Sequence, residues 1–222
     1  MANLAIICEG KTERNFVEQI LAPYLSERGL DVDSVEIGIE NIQHGGNVSF
    51  ARIMKDCEIL LQDHEYVTTL IDFYRIGKDW GGVNEIEESM SSDEKAQTVE
   101  RFALHDAKKI LSAVDVERRL LFNVVMHEFE GLLFSDPEAI VRVTRAVKAV
   151  AELKDIAKTF PTPEDIDSGR NTAPSKRLVS CKANYGKVVH GTRIVEEIGL
   201  DAIRGKCPHF NFWMTRLENL CK

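Results

Sequence analysis

Apolar and polar residues recur along this chain in two rhythms, one of period two and one of period 3.6, and they alternate. Asn3–Cys8 is a nearly continuous apolar run that stops at Glu9-Gly10, which predicts a buried strand followed by a tight turn. Phe16, Ile20 and Tyr24 then follow at helical spacing; Thr12 is the expected N-cap, and Pro23 is expected to kink or divide the helix. Val35–Ile39 alternates as a half-exposed strand does, Gly45-Gly46 breaks the chain, and Val48–Leu61 resumes the helical period. Tyr66–Phe73, rich in β-branched and aromatic residues, predicts a second buried strand. Polar Gly77–Asn84 separates it from a long amphipathic helix over Ser92–Val114, capped by Ser92 or Asp93. Leu120–Met126 reads as a further buried strand, and Pro137 opens a helix over Glu138–Leu153.

Strand, helix, strand, helix, strand, helix, strand up to Met126 argues for an α/β fold, a mostly parallel central sheet flanked by helices. Nothing after about residue 137 reads as a strand. Residues 1–136 are therefore expected to form the α/β core and residues 137–222 a helical C-terminal extension packed on it. The loop Phe160–Asn171 is rich in Pro, Asp and Gly.

Composition narrows the function classes. With 222 residues, 44% hydrophobic and 29% charged, the chain can bury a core without staples. Its five cysteines are scattered, which excludes a close-spaced zinc or redox motif and suits reduced thiols in a cytoplasm. The start lacks the basic region of a signal peptide, and no apolar run reaches the length of a spanning helix. A formal charge of −8 means that nucleic acid can be met only through a local basic patch. Residues 170–193 offer one: Arg170, Lys176, Arg177, Lys182, Lys187 and Arg193 fall in a stretch free of acids, although a solvated helix face has the same composition.

In an open parallel sheet, ligands bind beyond the carboxyl ends of the strands. Those ends carry Glu9, with Glu13 one helical turn later; Asp72; and Glu128 and Glu130. Taken singly, Glu9 and Glu13 also suit a helix edge, and Asp72 a turn. Gathered together, carboxylates repel and raise one another's pKa unless a cation neutralises them. An all-oxygen set selects Mg²⁺ or Mn²⁺ over zinc, and the carboxylates would serve one ion or two in phosphodiester chemistry. Lys11, Arg14, Lys176 and Arg177 are placed near substrate phosphate, and His127 beside the acids could orient a water. Trp80, Phe210, Phe212 and Trp213 could stack bases, though the last three also match a packed helix face. Gly10-Lys11-Thr12 fails as a P-loop because Ala5 stands where its first glycine belongs, and His127-Glu128 fails as a zinc-protease helix because Gly131 replaces the second histidine.

The ordered set Glu9-Gly10-Lys11-Thr12-Glu13, Asp72-Phe73-Tyr74, His127-Glu128-Phe129-Glu130 and Pro174-Ser175-Lys176-Arg177 resembles a bacterial family assigned a Toprim-like fold. That family is related to overcoming-lysogenization-defect-type nucleases. The resemblance implies a Mg²⁺-dependent nuclease in which Glu9 is the metal-binding or acid/base glutamate of the first strand. It maps Asp72 onto the first aspartate of an Asp-x-Asp motif and Glu13 onto the second acid of the nuclease opening. It also implies a setting in phage defence beside an ATPase partner. Tyr74 departs from the pattern, since a tyrosine of pKa near 10 is a poor Mg²⁺ ligand. Glu128 or Glu130 would then supply the missing carboxylate, or metal binding is weakened. The competing expectations are a catalytically inactive partner of an ATPase and a small-molecule phosphatase.

Overall fold

With every residue from Leu4 to Cys8 buried, β1 (Ala2–Cys8) must lie inside the sheet, covered on both faces. The computed structural model describes residues 2–38, 47–112, 114–167, 169 and 171–221. In it β1 pairs in parallel with β2 (Leu30–Glu36) and β3 (Tyr66–Asp72), and β3 pairs in parallel with β4 (Leu120–Leu121) and β5 (Val124–Val125). The sheet order is β2-β1-β3-β4, with β5 also on β3, as an alternating strand–helix sequence requires.

Period-two alternation assigns each strand residue to a layer. Ala5, Ile7, Val67 and Ile71 face α3 (Phe50–Asp63) and α4 (Ser92–Ile110). Leu4, Ile6, Cys8 and Leu70 face the opposite core. That core contains Phe16 of α1 (Lys11–Phe16) and Leu25 of α2 (Ala22–Ser26). After α5 (Val116–Arg119) and α6 (Glu130–Leu133), the remaining helices add to the same side. They are α7 (Pro137–Thr144), α8 (Val150–Thr159), α9 (Pro174–Ser180), α10 (Lys187–Ile198), α11 (Leu200–Lys206) and α12 (Pro208–Glu218). From α12, Phe210, Trp213, Met214 and Leu217 enter the core, and Trp213 Nε1 donates to Thr68 Oγ1 at 3.0 Å. A packed face thus accounts for Phe210 and Trp213, while Trp80 is buried in the other core; none of the three is free to stack a base.

Several local expectations need correction. Gly10, not Thr12, precedes α1, and no side chain caps it; Thr12 is buried instead against α10. Around Pro23 the helix widens into a π turn at Val17–Leu21, where Ala22 N–H bonds Val17 O, and Pro23 takes the first turn of α2, which needs no donor. The half-exposed strand begins earlier than Val35, at Leu30, and ends at Glu36, as β2; Ile39, the Gly45-Gly46 break and Arg170 lie outside the described residues. Ser91, rather than Ser92 or Asp93, caps α4, in a reciprocal capping box with Glu94.

The Leu120–Met126 strand is interrupted because side chains replace the ladder. Thr68 Oγ1 donates to Leu121 O at 2.6 Å, Thr69 Oγ1 lies 2.9 Å from both Asn123 N and Asn123 O, and Glu100 Oε1 accepts from Val124 N–H at 2.9 Å. The helix expected over Glu138–Leu153 is two helices, separated where Arg145 adopts a left-handed φ of 62°.

Candidate functional site

Four carboxylates from separate segments meet at the carboxyl ends of the strands. Glu9 follows β1, Glu13 lies in α1, Asp72 ends β3, and Glu130 opens α6 just beyond β5. Asp72 sets the spacing: its N–H donates to Glu9 Oε2 at 3.3 Å, and its Oδ1 accepts from Phe129 N–H at 2.8 Å. A single ammonium fills the centre. Lys187 Nζ lies 3.4 Å from Glu13 Oε1, 3.5 Å from Asp72 Oδ2 and 3.5 Å from Glu130 Oε2. On the outer side Arg75 Nε stands 3.1 Å from Glu9 Oε1.

Burial sets the electrostatics. Glu13 and Asp72 are 2% exposed and Glu130 is 0% exposed, so water cannot relieve their repulsion. Burial holds the Asp72 carboxyl well above its usual range and raises that of Glu130, with Lys187 opposing both shifts. Glu9 is pushed up to about 7, first by burial and then by Glu13, against the pull of Lys187 and Arg75. For Lys187, burial disfavours the charge, but Asp72, Glu130, Glu13 and Glu9 outweigh it and lift the ammonium above the lysine range. Lys187 is the first residue of α10, where the helix dipole repels a cation. The carboxylates override that preference.

Close helix packing brings Lys187 there. A Cβ on Gly191 would lie 2.9 Å from Thr12 Cγ2, so only glycine lets α10 approach α1 this closely. Just before α10, Tyr185 Oη donates to Glu130 Oε1 at 3.1 Å. Lys187, Tyr185 and Arg75 are the site residues that sequence reasoning missed. Lys187 stood out only as one member of the basic stretch, and no spacing along the chain links it to the acids.

Glu128 is turned elsewhere. Its Oε2 accepts from Ser175 N–H at 2.9 Å, in the first turn of α9, while Glu130 two residues on faces Lys187. Tyr74 also points away from the four acids. Its N–H donates to His127 O at 3.2 Å and its ring lies 5.4 Å from the His127 ring; burial and then Asp167 raise its phenol pKa. His127 holds a left-handed φ of 62°, and its Nδ1 lies 3.6 Å from Asp167 Oδ2. Burial lowers its pKa, against the pull of Asp167.

The expected phosphate-binding residues divide in two. Lys11 and Lys176 are exposed, as are Lys182 and Arg193. Arg14 is engaged by Glu18 at 2.7 Å and Glu36 at 3.5 Å. Arg177 Nε donates to Thr172 O at 2.7 Å, and its guanidinium lies 5.0 Å from the Phe160 ring centroid.

The donor set fits a hard cation in its chemistry. It is all oxygen, and Glu13 Oε1 and Glu130 Oε2 are buried with no hydrogen-bond partner. Among the described residues, however, no three acidic, histidine or cysteine side chains are already spaced to close on an ion. Lys187 occupies the centre they would share.

Fold and site together define a parallel α/β protein with an acidic centre at its strand ends. The chain belongs to the family described as domain of unknown function DUF4276, whose model matches residues 8–218. No curated protein matches it. Among solved structures it is similar to the C-terminal region of the Xanthomonas campestris pv. campestris OLD protein phased with platinum, at 17% identity and a TM-score of 0.38, over 98% of this chain and 96% of that one. The same region phased with iodine gives 18% identity and a TM-score of 0.36, over 99% and 98% of the two chains. Among the described residues no helix is long and apolar enough to cross a membrane.

Proposed function

We propose that this chain is a Mg²⁺- or Mn²⁺-dependent nuclease whose metal is held by Glu9, Glu13, Asp72 and Glu130. The observation that carries the reading is the pair of buried oxygens without a hydrogen bond, Glu13 Oε1 and Glu130 Oε2, facing one ammonium at 3.4 and 3.5 Å. Such oxygens are costly to keep unless cationic charge is part of the working site. When bound, a divalent ion supplies Lewis-acid charge at phosphate and lowers the pKa of its water.

The chain's own residues take distinct parts. Asp72, fixed by Phe129 N–H, is a rigid carboxyl support. Glu9 is the least buried of the four, its side chain 14% exposed, and its pKa of about 7 in the ion-free site means that it gives up a proton as an ion binds. Lys187 holds Glu13, Asp72 and Glu130 together and offsets part of their charge before an ion arrives. Lys11, Lys176, Lys182 and Arg193 supply the positive surface for a DNA or RNA backbone that the net charge of −8 does not.

Purified protein incubated with Mg²⁺ or Mn²⁺ should cleave DNA or RNA, and Glu13→Gln should reduce cleavage at least a hundredfold, about 2.7 kcal/mol in the barrier. Cleavage unchanged in that variant would remove the proposal.

A second reading rests on Lys187. Since its ammonium already pairs with three of the carboxylates, the site is also consistent with a structural ion cluster in a non-catalytic partner of an ATPase, in the phage-defence setting that the sequence resemblance implies. Under that reading Mn²⁺ leaves thermal stability unchanged.

A further inference from the structure

Away from the carboxylate centre, an open cleft of about 490 Å³ lies between α4 and α12. None of Glu9, Glu13, Asp72, Glu130 or Lys187 lines it. Phe122, 2% exposed at the interruption between β4 and β5, forms part of its lining, as do Leu104 and Met90. Its volume falls in the range of small-molecule sites, about 300–1,000 Å³.

The polar groups in the cleft are unevenly satisfied. Both acids are in use. Glu94 accepts from Ser91 N–H at 2.8 Å and Ser91 Oγ at 2.9 Å, and Glu100 Oε1 holds Val124 N–H at 2.9 Å and lies 2.8 Å from His209 Nε2. The cations are not so engaged. Among the described residues neither Arg101 nor Arg216 has a hydrogen-bond or ion-pair partner. Arg216 is half-buried, and burial disfavours its charge, which nearby Glu100 offsets only in part. Its guanidinium carbon stands 5.7 Å from the ring centroid of Phe212, an aromatic that is 48% exposed on an otherwise packed helix. Gln97 gives its amide N–H to Asp93 at 2.9 Å, which leaves its carbonyl oxygen as an acceptor.

We propose that this cleft is a second ligand site, built for a small aromatic anion of the nucleoside monophosphate type. Its phosphate takes Arg101 and Arg216, and its base lies against Phe212. A part-buried guanidinium with no hydrogen-bonded anion is costly, and bidentate recognition of phosphate is what an arginine pair does best. An exposed ring beside a cation offers a stacking platform for any base. The Gln97 carbonyl would accept from a ring or exocyclic N–H.

The test is isothermal titration calorimetry of the intact chain in metal-free buffer with AMP, adenosine and ribose 5-phosphate. AMP should bind saturably with a Kd below about 1 mM, and the two fragments at least tenfold more weakly. Arg101→Ala, at an exposed position that does not threaten folding, should weaken AMP about tenfold, and Phe212→Ala and Arg216→Leu likewise. Glu13→Gln with Glu130→Gln should leave the AMP affinity unchanged, which separates this cleft from the carboxylate centre whether or not that centre is a nuclease. Absence of saturable binding, survival of binding in Arg101→Ala and Arg216→Leu, or its loss in the double glutamate variant would each overturn the proposal.

Discussion

Lys187 Nζ stands 3.5 Å from Asp72 Oδ2 across 115 residues of sequence, and this contact ties the C-terminal helices to the strand ends. Removing one member of a buried charge cluster costs more than the cluster itself contributes, because the charges left behind are uncompensated. Lys187→Met should therefore destabilise the protein at pH 8 by about 2–3 kcal/mol, less than for a fully enclosed pair because 39% of the Lys187 side chain is exposed. At pH 5, where Glu9 holds a proton, the loss should shrink. Urea denaturation at the two pH values checks this; an equal loss at both contradicts it.

Glu9 gives a pH dependence of definite sign. Its folded-state pKa of about 7 lies above the ordinary 4.5, so the folded state takes up a proton through that window. Stability from this group is present below pH 4.5 and is lost as pH rises toward 7. Glu9→Gln removes the titration. In metal-free buffer the variant should exceed the wild type by about 2–3 kcal/mol at pH 8 and match it near pH 4.5. A variant less stable than wild type at pH 8 would show that Glu9 is held ionised.

The His209 bridge should report on how α12 docks. His209 Nδ1 lies 2.9 Å from Asp93 and Nε2 2.8 Å from Glu100; burial opposes its charge, but Glu100 and Asp93 prevail and lift the pKa to about 9. Its contribution is fully present below pH 6.5 and lost as pH rises through 9. His209→Gln should cost about 2 kcal/mol at pH 6 and much less at pH 10, read by chemical denaturation.

Gly191 controls the approach of α10. Gly191→Ala should clash with Thr12, cost about 1–3 kcal/mol and lower any nucleolytic rate by displacing Lys187. Adding Thr12→Ser removes the obstructing methyl and should restore both. Failure of that rescue would mean that the close approach does not position the site.

The sheet was legible because Leu4–Cys8 and Tyr66–Asp72 are buried on both faces and therefore apolar throughout, and because Glu9 and Asp72 end those runs. Where side chains replaced backbone partners, the pattern misled. Leu120–Met126 has the composition of one strand, yet the Thr68 and Thr69 hydroxyls and the Glu100 carboxylate take its hydrogen bonds. Arg145 carries no mark of the left-handed turn it makes. Of the site, Glu9, Glu13, Asp72 and Glu130 could be read from strand ends, and Glu128 could not be separated from Glu130 until the turn between them was seen. Lys187 was hidden for a different reason: its place depends on Gly191 fitting against Thr12, a contact between helices with no local periodicity.

The most direct measurement is calorimetric titration of Mn²⁺ into the wild type and into Glu13→Gln with Glu130→Gln. The account predicts saturable binding in the wild type, tighter at pH 8 than at pH 6 because Glu9 must release its proton, and no binding in the variant. Indistinguishable heats from the two proteins would contradict it.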